Sequence, residues 1–252
     1  MNRKKIALLF AMQQEADPIL KELGLKQVQS FGDPRLPMCF YQGEFGQHLE
    51  LLLSVNGRDL RFGVDAIGTE PAVLNAYVTL LQFKPDLCLN AGTVGGFKSQ
   101  GAQIGDVYLS EGHFKFHDRR IPVPGWDAYG LGSYPVFRIP GLAESLGLKL
   151  GVVTTGNSLD FTERDLEMIE KNQGAVKEME AAGIAWVASL LGVPLVALKS
   201  VTDFVDHHET AQDQFFKNLD HATQRLRDQV LGALRFMDEH AHTLLSRREP
   251  LI

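Results

Sequence analysis

The sequence is poor in cysteine, and Cys39 and Cys88 are the two thiols among its 252 residues. They lie far apart in the chain, and neither belongs to a C-x-x-C pair or to a spacing that holds zinc. Cys88 is part of the apolar run "DLCLNA", which is typical of a small, buried hydrophobic residue. The thiols therefore give no reason to expect an oxidising compartment.

The sequence also lacks a long hydrophobic run. Its first apolar segment, residues 6–12 ("IALLFAM"), follows a basic start, but "QQEADP" comes directly after it without a small-residue cleavage site. This segment predicts a β-strand rather than a signal peptide. No apolar stretch reaches the roughly 18–20 residues that span a bilayer. We accordingly expect a cytoplasmic protein without a membrane partner.

An excess of basic residues is missing as well. Lys and Arg number 25 against 31 Asp and Glu, which gives a formal net charge of −6 and a pI of about 5.8. A protein that binds nucleic acid needs a basic face to neutralise phosphate groups. The charge balance therefore predicts no nucleic-acid partner.

The sequence does contain 44% hydrophobic residues, enough to build a sizeable core. Short apolar runs alternate with segments of helical periodicity, and several of the runs are apolar on both faces. This alternation predicts one α/β domain over residues 1–252, with a central mixed β-sheet flanked by helices. Strands are predicted at 6–12, 49–55, 86–92, 104–112, 148–156 and 194–203, and helices at 71–83, 178–192 and 211–246.

Local signals refine these boundaries. Thr69 is the predicted N-cap of the helix over 71–83, whose first turn contains Pro71. Another helix is expected to begin near Asp17 and Pro18. Segment 117–147 is rich in proline and glycine and has no clear periodicity, which predicts a long loop of the kind that often lines a site.

Polar residues gather where the predicted strands end. In open α/β sheets, ligands bind just beyond the carboxyl ends of the strands. Several separate chain segments place polar groups at such ends, and three of them supply carboxylates. These features are Glu15, the glycine-rich turn "GTVGGF" (92–97) with Thr93, the segment "TGNSLDF" (155–161), Glu180 at a helix start, and Asp203.

Each feature also has a simpler structural explanation. Glu15 is typical of an acid near a helix N-terminus, and Asp203 of a residue that caps a turn. The segment "GTVGGF" matches neither G-x-x-x-x-G-K-[ST] nor G-x-G-x-x-G, so by itself it favours a tight turn. Glu180, however, shares a helix face with Ile184 and Val187. A carboxylate on that apolar face needs a partner or a cavity.

A metal site is not predicted. His207, His208 and Glu209 are adjacent, but neighbouring histidines point in different directions and no third spaced ligand is evident. Neither a G-x-S-x-G elbow nor a Cys-His spacing indicates a covalent nucleophile. Carboxylate chemistry remains, in which one protonated and one ionised carboxyl act as acid and base while a third binds a diol. This combination suits cleavage of a ribosyl bond by water.

Five segments carry a family resemblance through their order and spacing: "AMQQE", "NAGTVGGF", "TTGNSLD", "KEMEAAGIA" and "KSVTDFVD". Together they resemble the 5′-methylthioadenosine/S-adenosylhomocysteine nucleosidases of the purine nucleoside phosphorylase superfamily. The segment "FHDRRIPVPGWDAYGLG" (116–132) is similar to the plant-type methylthioadenosine nucleosidases. The resemblance covers essentially the whole chain and implies a nucleoside phosphorylase-like fold.

The resemblance implies roles for the residues at matching positions. It makes Glu15 the base that activates the attacking water, and Asp203 the acid that protonates adenine N7. It makes Glu180 the residue that binds the ribose 2′- and 3′-hydroxyls. The other implied substrate-binding residues are Met179 beside the sugar, Thr93 and Gly95 under the ribose and base, Leu159 and Asp160 at the adenine, and Lys199.

The resemblance also implies partners. The substrate is expected to be a small-molecule nucleoside, namely methylthioadenosine and related 5′-substituted adenosines such as S-adenosylhomocysteine, and no metal or cofactor is needed. The expected assembly is a homodimer in which loop 114–126 lies near the 5′-alkylthio group in the partner's site. Two positions depart from the family. Lys199 replaces a frequent arginine and lacks its planar fork, and Asn157 replaces a common aspartate expected beside Asp203.

Three other functions are weighed against this one. A nucleoside phosphorylase would need a phosphate site near "AMQQE", where the carboxylate of Glu15 would repel phosphate. An aminodeoxyfutalosine nucleosidase would differ in the pocket for the 5′ group, which the sequence does not size. A non-enzymatic binding protein is disfavoured because all three implied carboxylates are present.

Overall fold

This computed structural model describes residues 3–207 and 209–244. Its strands are β1 (Lys4–Phe10), β2 (Lys26–Val28), β3 (Cys39–Phe45), β4 (Leu49–Val55), β5 (Arg58–Asp59), β6 (Val64–Asp65), β7 (Leu87–Gly96), β8 (Val107–Ser110), β9 (His113–Phe116), β10 (Tyr134–Pro135), β11 (Lys149–Thr155), β12 (Gly174–Glu178) and β13 (Leu195–Phe204). Its helices are α1 (Gln13–Leu23), α2 (Thr69–Phe83), α3 (Trp126–Leu131), α4 (Leu142–Leu146), α5 (Glu163–Lys171), α6 (Ala181–Leu191), α7 (Ala211–Glu239) and α8 (Ala241–Leu244).

A mixed sheet organises the molecule. Its strands lie in the order β10-β9-β11-β8-β13-β7-β1-β4-β3-β2, and β12 pairs with both β11 and β7. At the centre, β4, β1, β7 and β13 run parallel, whereas β8 is antiparallel to β13 and β3 is antiparallel to β4. The central strands are buried on both faces, which explains their continuous apolar runs.

Helices cover both faces of this sheet. On one face α2 and α6 pack together over side chains such as Leu9 and Leu52. On the other face α1 and α7 pack over side chains such as Leu8 and Leu53. Full burial of each such side chain stabilises the fold by about 1.5–3 kcal/mol. The predicted mixed sheet flanked by helices is confirmed, and it fixes where the strand ends meet.

Three strand and loop predictions need correction. The segment "GTVGGF" is not a turn, because β7 continues through Gly96 and pairs with β13 along this stretch. Residues 174–178 form β12, although Glu178 was assigned to a helix, since pairing with β11 and β7 overrides the helical propensity of Lys177 and Glu178. Segment 117–147 is not wholly a loop, because it contains α3, β10 and α4.

Helix boundaries also differ from the prediction. Helix α1 begins at Gln13 rather than near Pro18, because Glu15 and Asp65 accept hydrogen bonds from the N–H groups of Met12 and Gln13. The N-cap of α2 is Gly68, whose φ of +98° suits glycine, and Thr69 is the first helical residue.

The C-terminal helix is shorter than predicted. Thr210 caps α7 by accepting a hydrogen bond from the N–H of Asp213, and the helix ends at Glu239 before the short α8. Residues 245–246 of the predicted helix lie outside the described residues, as does His208. Within residues 3–207 and 209–244, no helix has the length and apolarity needed to cross a membrane.

Candidate active site

A cavity of about 580 Å³ opens at the carboxyl ends of β1, β7 and β13, beside the first turns of α1 and α6. Small-molecule sites have volumes of about 300–1,000 Å³, so the cavity can hold a nucleoside. Its wall combines apolar side chains with carboxyl groups from separate chain segments. The predicted site residues that line it are Glu15, Thr93, Gly95, Leu159, Met179, Glu180 and Asp203.

Glu15 is held rigidly in the first turn of α1. Its Oε1 accepts hydrogen bonds of 2.7 Å from both the N–H and the hydroxyl of Thr93, and its Oε2 accepts one of 3.2 Å from the N–H of Met12. Burial raises the pKa of Glu15, while the Thr93 hydrogen bonds oppose that rise. The carboxyl group therefore has a fixed orientation and an increased basicity, which suits a base that accepts a proton from water.

Glu180 is the N-cap residue of α6. Its Oε1 accepts a hydrogen bond of 2.8 Å from the N–H of Gly68, which ties the start of α6 to the start of α2. Burial, reinforced by the charge of Glu178, raises the pKa of Glu180 to about 7. Because the second carboxyl oxygen is not needed for this hydrogen bond, it can accept from a ligand hydroxyl in the cavity.

Asp203 lies near the end of β13 and is only 5% exposed. The hydroxyl of Thr202 donates a hydrogen bond of 2.7 Å to its Oδ1. Burial raises the pKa of Asp203, although the Thr202 hydrogen bond and the charge of Lys177 act in the opposite direction. This buried setting favours the protonated form that a general acid requires.

Lys199 lies behind the wall of the cavity. Its ammonium nitrogen is 2.9 Å from Glu178 Oε2, and both side chains are almost fully buried. Glu178 itself lines the cavity and accepts hydrogen bonds from the N–H groups of Glu180 and Ala181. The charge of Lys199 opposes the rise in the pKa of Glu15 and of Glu180 that burial causes. Lys199 thus affects the cavity through a buried ion pair.

The segment after β11 forms one rim of the cavity. Leu159 lies at this rim and is partly exposed, whereas Asp160 is exposed and lies outside the lining. Asn157 accepts a hydrogen bond of 2.8 Å from the N–H of Thr69, and its own N–H donates to Asp118. Among the described residues, these hydrogen bonds of Asn157 tie the rim to the start of α2 and to Asp118.

Comparison with known proteins places this architecture in a family. Residues 5–235 match the phosphorylase superfamily. The chain is 40% identical to 5′-methylthioadenosine nucleosidase of Arabidopsis thaliana over 236 residues. This aligned region covers 92% of this chain and 87% of the relative. The chain belongs to the phosphorylase superfamily. A second Arabidopsis relative, a 5′-methylthioadenosine/S-adenosylhomocysteine nucleosidase, is 39% identical and covers 92% of this chain and 91% of its own.

Solved structures agree with this assignment to the phosphorylase superfamily. The structure of Arabidopsis thaliana 5′-methylthioadenosine nucleosidase in apo form has a TM-score of 0.92 and 38% identity, and covers 98% of this chain and 99% of its own. Futalosine hydrolase of Helicobacter pylori has a TM-score of 0.74 and 22% identity. The superposition covers 92% of this chain and 98% of the hydrolase, so the two share the fold. The family resemblance of the sequence motifs is confirmed.

Several residues of this phosphorylase superfamily site were missed by sequence reasoning. Glu178 was assigned to the start of a helix and Lys177 to no element, whereas both belong to β12, so their contacts could not be anticipated. The hairpin of β5 and β6 and the start of α7 bring further residues to the cavity from distant parts of the chain. These are Arg58, Gly63, Val64, Asp65, Phe215 and Phe216. No local sequence signal marks them, because tertiary packing alone places them there.

Proposed function

We propose that this protein hydrolyses the N-ribosidic bond of 5′-methylthioadenosine, and of related 5′-substituted adenosines such as S-adenosylhomocysteine, to adenine and the 5′-thioribose. One observation carries the proposal: Glu15, Glu180 and Asp203 come from three elements, and all are buried around one cavity of nucleoside size. The names of the Arabidopsis relatives support the choice of substrate.

Departure of adenine is the task of Asp203. Cleavage of the bond between C1′ and N9 leaves an electron pair on the purine, which is a poor leaving group until N7 is protonated. Asp203 gives its proton to N7 as this bond breaks, and it is left as a carboxylate. Its raised pKa supports this role, because the group must carry a proton near neutral pH before the reaction.

Attack of water is the task of Glu15. The water oxygen forms the new bond to C1′ of the oxocarbenium-like ribose, and one of its protons passes to Glu15. Thr93 holds the carboxylate in one orientation through two hydrogen bonds of 2.7 Å, so no reorientation is needed during attack.

The remaining predicted residues, apart from Lys199, bind the substrate. Glu180 accepts hydrogen bonds from the ribose 2′- and 3′-hydroxyls, and Met179 packs beside the sugar. Thr93 and Gly95 lie under the ribose and base. Leu159 packs on the adenine, and the backbone beside Asp160 meets its edge. Lys199, paired with Glu178 at 2.9 Å, limits the mutual repulsion of the buried carboxylates rather than touching the substrate.

Hydrolysis is favoured over phosphorolysis by the surroundings of Glu15. A phosphorylase must bind a phosphate dianion at the position from which the nucleophile attacks. Here that position faces the buried carboxyl group of Glu15. This group already accepts hydrogen bonds from the N–H and the hydroxyl of Thr93, and these two donors would otherwise be available to phosphate. A carboxylate there repels phosphate and activates water.

We further propose that the enzyme acts as a homodimer, with loop 114–126 near the 5′ group in the partner's site. Helices α2 and α6 pack together and expose large apolar side chains, and the region of α3 exposes two more, Trp126 and Tyr129. Apolar side chains clustered on a surface are typical of a subunit interface. Those on α2 and α6 are Leu74, Tyr77, Leu81, Trp186 and Leu190.

The proposed function is tested by measuring adenine release from methylthioadenosine, S-adenosylhomocysteine and aminodeoxyfutalosine side by side, with and without phosphate. We expect release from methylthioadenosine at the same rate in both buffers, with the free 5′-thioribose as co-product. Absolute dependence on phosphate, with the sugar 1-phosphate as co-product, would instead identify a phosphorylase. Release from aminodeoxyfutalosine alone would identify an aminodeoxyfutalosine nucleosidase.

A further inference from the structure

Lys177 is a buried cation in the cavity wall to which the proposed mechanism gives no role. It lies on β12, is 5% exposed and lines the cavity. Its ammonium group donates hydrogen bonds to the carbonyl oxygens of Ser158, at 2.5 Å, and Leu159, at 3.0 Å. Burial of an ammonium group costs solvation free energy unless carbonyl dipoles or anions face it, so these contacts define its position.

Strand pairing brings Lys177 close to Asp203. β12 pairs antiparallel with β7 so that Lys177 lies opposite Gly95, and β13 pairs with β7 so that Asp203 also lies opposite Gly95. A Cβ atom on Gly95 would lie 2.9 Å from Asp203 Oδ2, so the lack of a side chain at Gly95 leaves this space to the carboxyl group. Both Lys177 and Asp203 line the cavity.

Other charged groups also face Lys177, from each element packed against it. They are Glu178 on β12, Asp160 after β11, Asp165 on α5, Asp203 on β13 and His117 after β9.

Most of these groups are already neutral or paired with another cation. Glu178 is paired with Lys199 at 2.9 Å, and Asp165 with Arg120 at 2.6 Å. Burial lowers the pKa of His117 to about 4, so it is neutral at pH 7. Of the two remaining carboxyl groups, Asp160 is exposed outside the cavity lining, which leaves Asp203 as the anion in the cavity that Lys177 can balance.

We propose that Lys177 is a positioning residue with two effects, fixing the Ser158–Leu159 backbone at the purine end of the cavity and balancing the charge that Asp203 acquires on donating its proton. In that step the proton moves from Asp203 to N7, the C1′–N9 electron pair moves to the purine, and the new carboxylate faces the ammonium group. This role rests on the proposed function, because it requires a departing purine.

The ammonium group makes Asp203 a stronger acid. It favours the carboxylate that proton donation creates, and therefore lowers the barrier to adenine departure. It also limits how far burial raises the pKa of Asp203. Without the ammonium group, Asp203 holds its proton to a higher pH but donates it less readily. Loss of the ammonium group should therefore raise the pH limit of activity while it lowers kcat. A loss of folding would lower activity without raising that pH limit.

The test compares Lys177→Met, Lys177→Gln and Lys177→Arg with Lys171→Met, which removes an exposed lysine at the end of α5. The measurements are the pH profile of kcat/KM for methylthioadenosine, kcat at its optimum, and the dissociation constant of adenine. In Lys177→Met and Lys177→Gln, we expect the alkaline limb of kcat/KM to move up by about 0.5–1 pH unit. Their kcat should fall about tenfold or more, and adenine should bind more weakly. Lys177→Arg should keep the limb near its wild-type pH, and Lys171→Met should match the wild type throughout.

The outcomes separate this role from the proposed function. If the wild type releases adenine but the alkaline limb and adenine binding are unchanged in both Lys177→Met and Lys177→Gln, the role of Lys177 is refuted and the function stands. The role is also refuted if a well-folded Lys177→Arg shifts the limb as far as Lys177→Met does. If the wild type releases no adenine from any of the three nucleosides, the proposed function fails, and the role fails with it.

Discussion

The three buried carboxyl groups serve the proposed reaction at a cost in stability. Glu15, Glu180 and Asp203 all lie in the cavity wall, and burial raises the pKa of each. A raised pKa means that the folded protein holds a proton that the unfolded chain has already released. Folding is therefore opposed at any pH where these groups ionise, in proportion to the shift.

Glu180→Gln should show this cost directly. The pKa of Glu180 is raised from 4.5 to about 7, so the stability of the wild type falls as pH rises through that interval. Glutamine can keep the hydrogen bond from Gly68 without ionising. We expect Glu180→Gln to be more stable than the wild type by about 1–3 kcal/mol at pH 8, and equal to it near pH 4.5, in urea denaturation.

The matched control is Glu167→Gln, which removes an exposed carboxylate from α5. Glu167 lies outside the cavity lining, so its variant should keep the activity of the wild type on methylthioadenosine. Glu180→Gln should at the same time lose most of its activity on methylthioadenosine, because a ribose contact is lost. A stability difference that stays constant from pH 4.5 to pH 8 would show that Glu180 titrates normally.

At the level of elements, the glycines of β7 let neighbouring strands bring their side chains together. Gly95 lies between Lys177 on β12 and Asp203 on β13. A Cβ atom there would lie 2.9 Å from both Asp203 Oδ2 and Val205 Cγ2, closer than such atoms pack. The absence of a side chain at Gly95 thus allows the carboxyl group of Asp203 to occupy its position.

Gly95→Ala should therefore displace Asp203. We expect kcat/KM for methylthioadenosine to fall about tenfold or more, because small misplacements of a reacting group are costly. The matched control is Gly43→Ala on β3, where the new Cβ atom would lie 2.7 Å from Leu25 Cδ2, outside the cavity lining. That variant should keep its kcat/KM, because the end of the Leu25 side chain can move aside. Equal kcat/KM values for the two variants would contradict the steric account.

At the level of the whole molecule, one surface stands out. Helices α2 and α6 expose Leu74, Tyr77, Leu81, Trp186 and Leu190 on the outer side of the layer that they form over the sheet. Leu190 is the most exposed of these five side chains, at 67%. Side chains of this size on adjoining helices are the basis of the proposed dimer, which would remove them from water.

Leu190→Asp should weaken that dimer. We expect the wild type to have twice the 27.9 kDa mass of one chain in light scattering after size exclusion. A buried, unpaired aspartate should raise the dimer dissociation constant by about tenfold or more. Leu150→Asp, at an exposed leucine of β11, is the control and should leave the mass unchanged. A monomeric wild type, or a dimer that Leu190→Asp leaves intact, would refute the interface.

The general architecture and the three carboxyl groups of the cavity could be predicted because they depend on local patterns. Continuous apolar runs mark the central strands, because these strands are buried on both faces. Glu15, Glu180 and Asp203 stand at the ends of elements, where chain direction alone brings them together. The contacts of Lys177 and Glu178 could not be anticipated, because "KEME" has a helical composition and its first two residues join a strand only by pairing with β7 and β11. The contacts of Asn157 depend on long-range packing against α2 and so carried no local signal.

The most direct test of the account is the rate of adenine release from methylthioadenosine by Asp203→Asn and by the wild type in phosphate-free buffer. Asparagine keeps the shape of the side chain but cannot donate the proton to N7. We predict a kcat about 10²–10⁴-fold below that of the wild type, with substrate binding largely retained. Asp220→Asn, at an exposed position of α7, should match the wild type. A kcat for Asp203→Asn equal to that of the wild type would contradict the account.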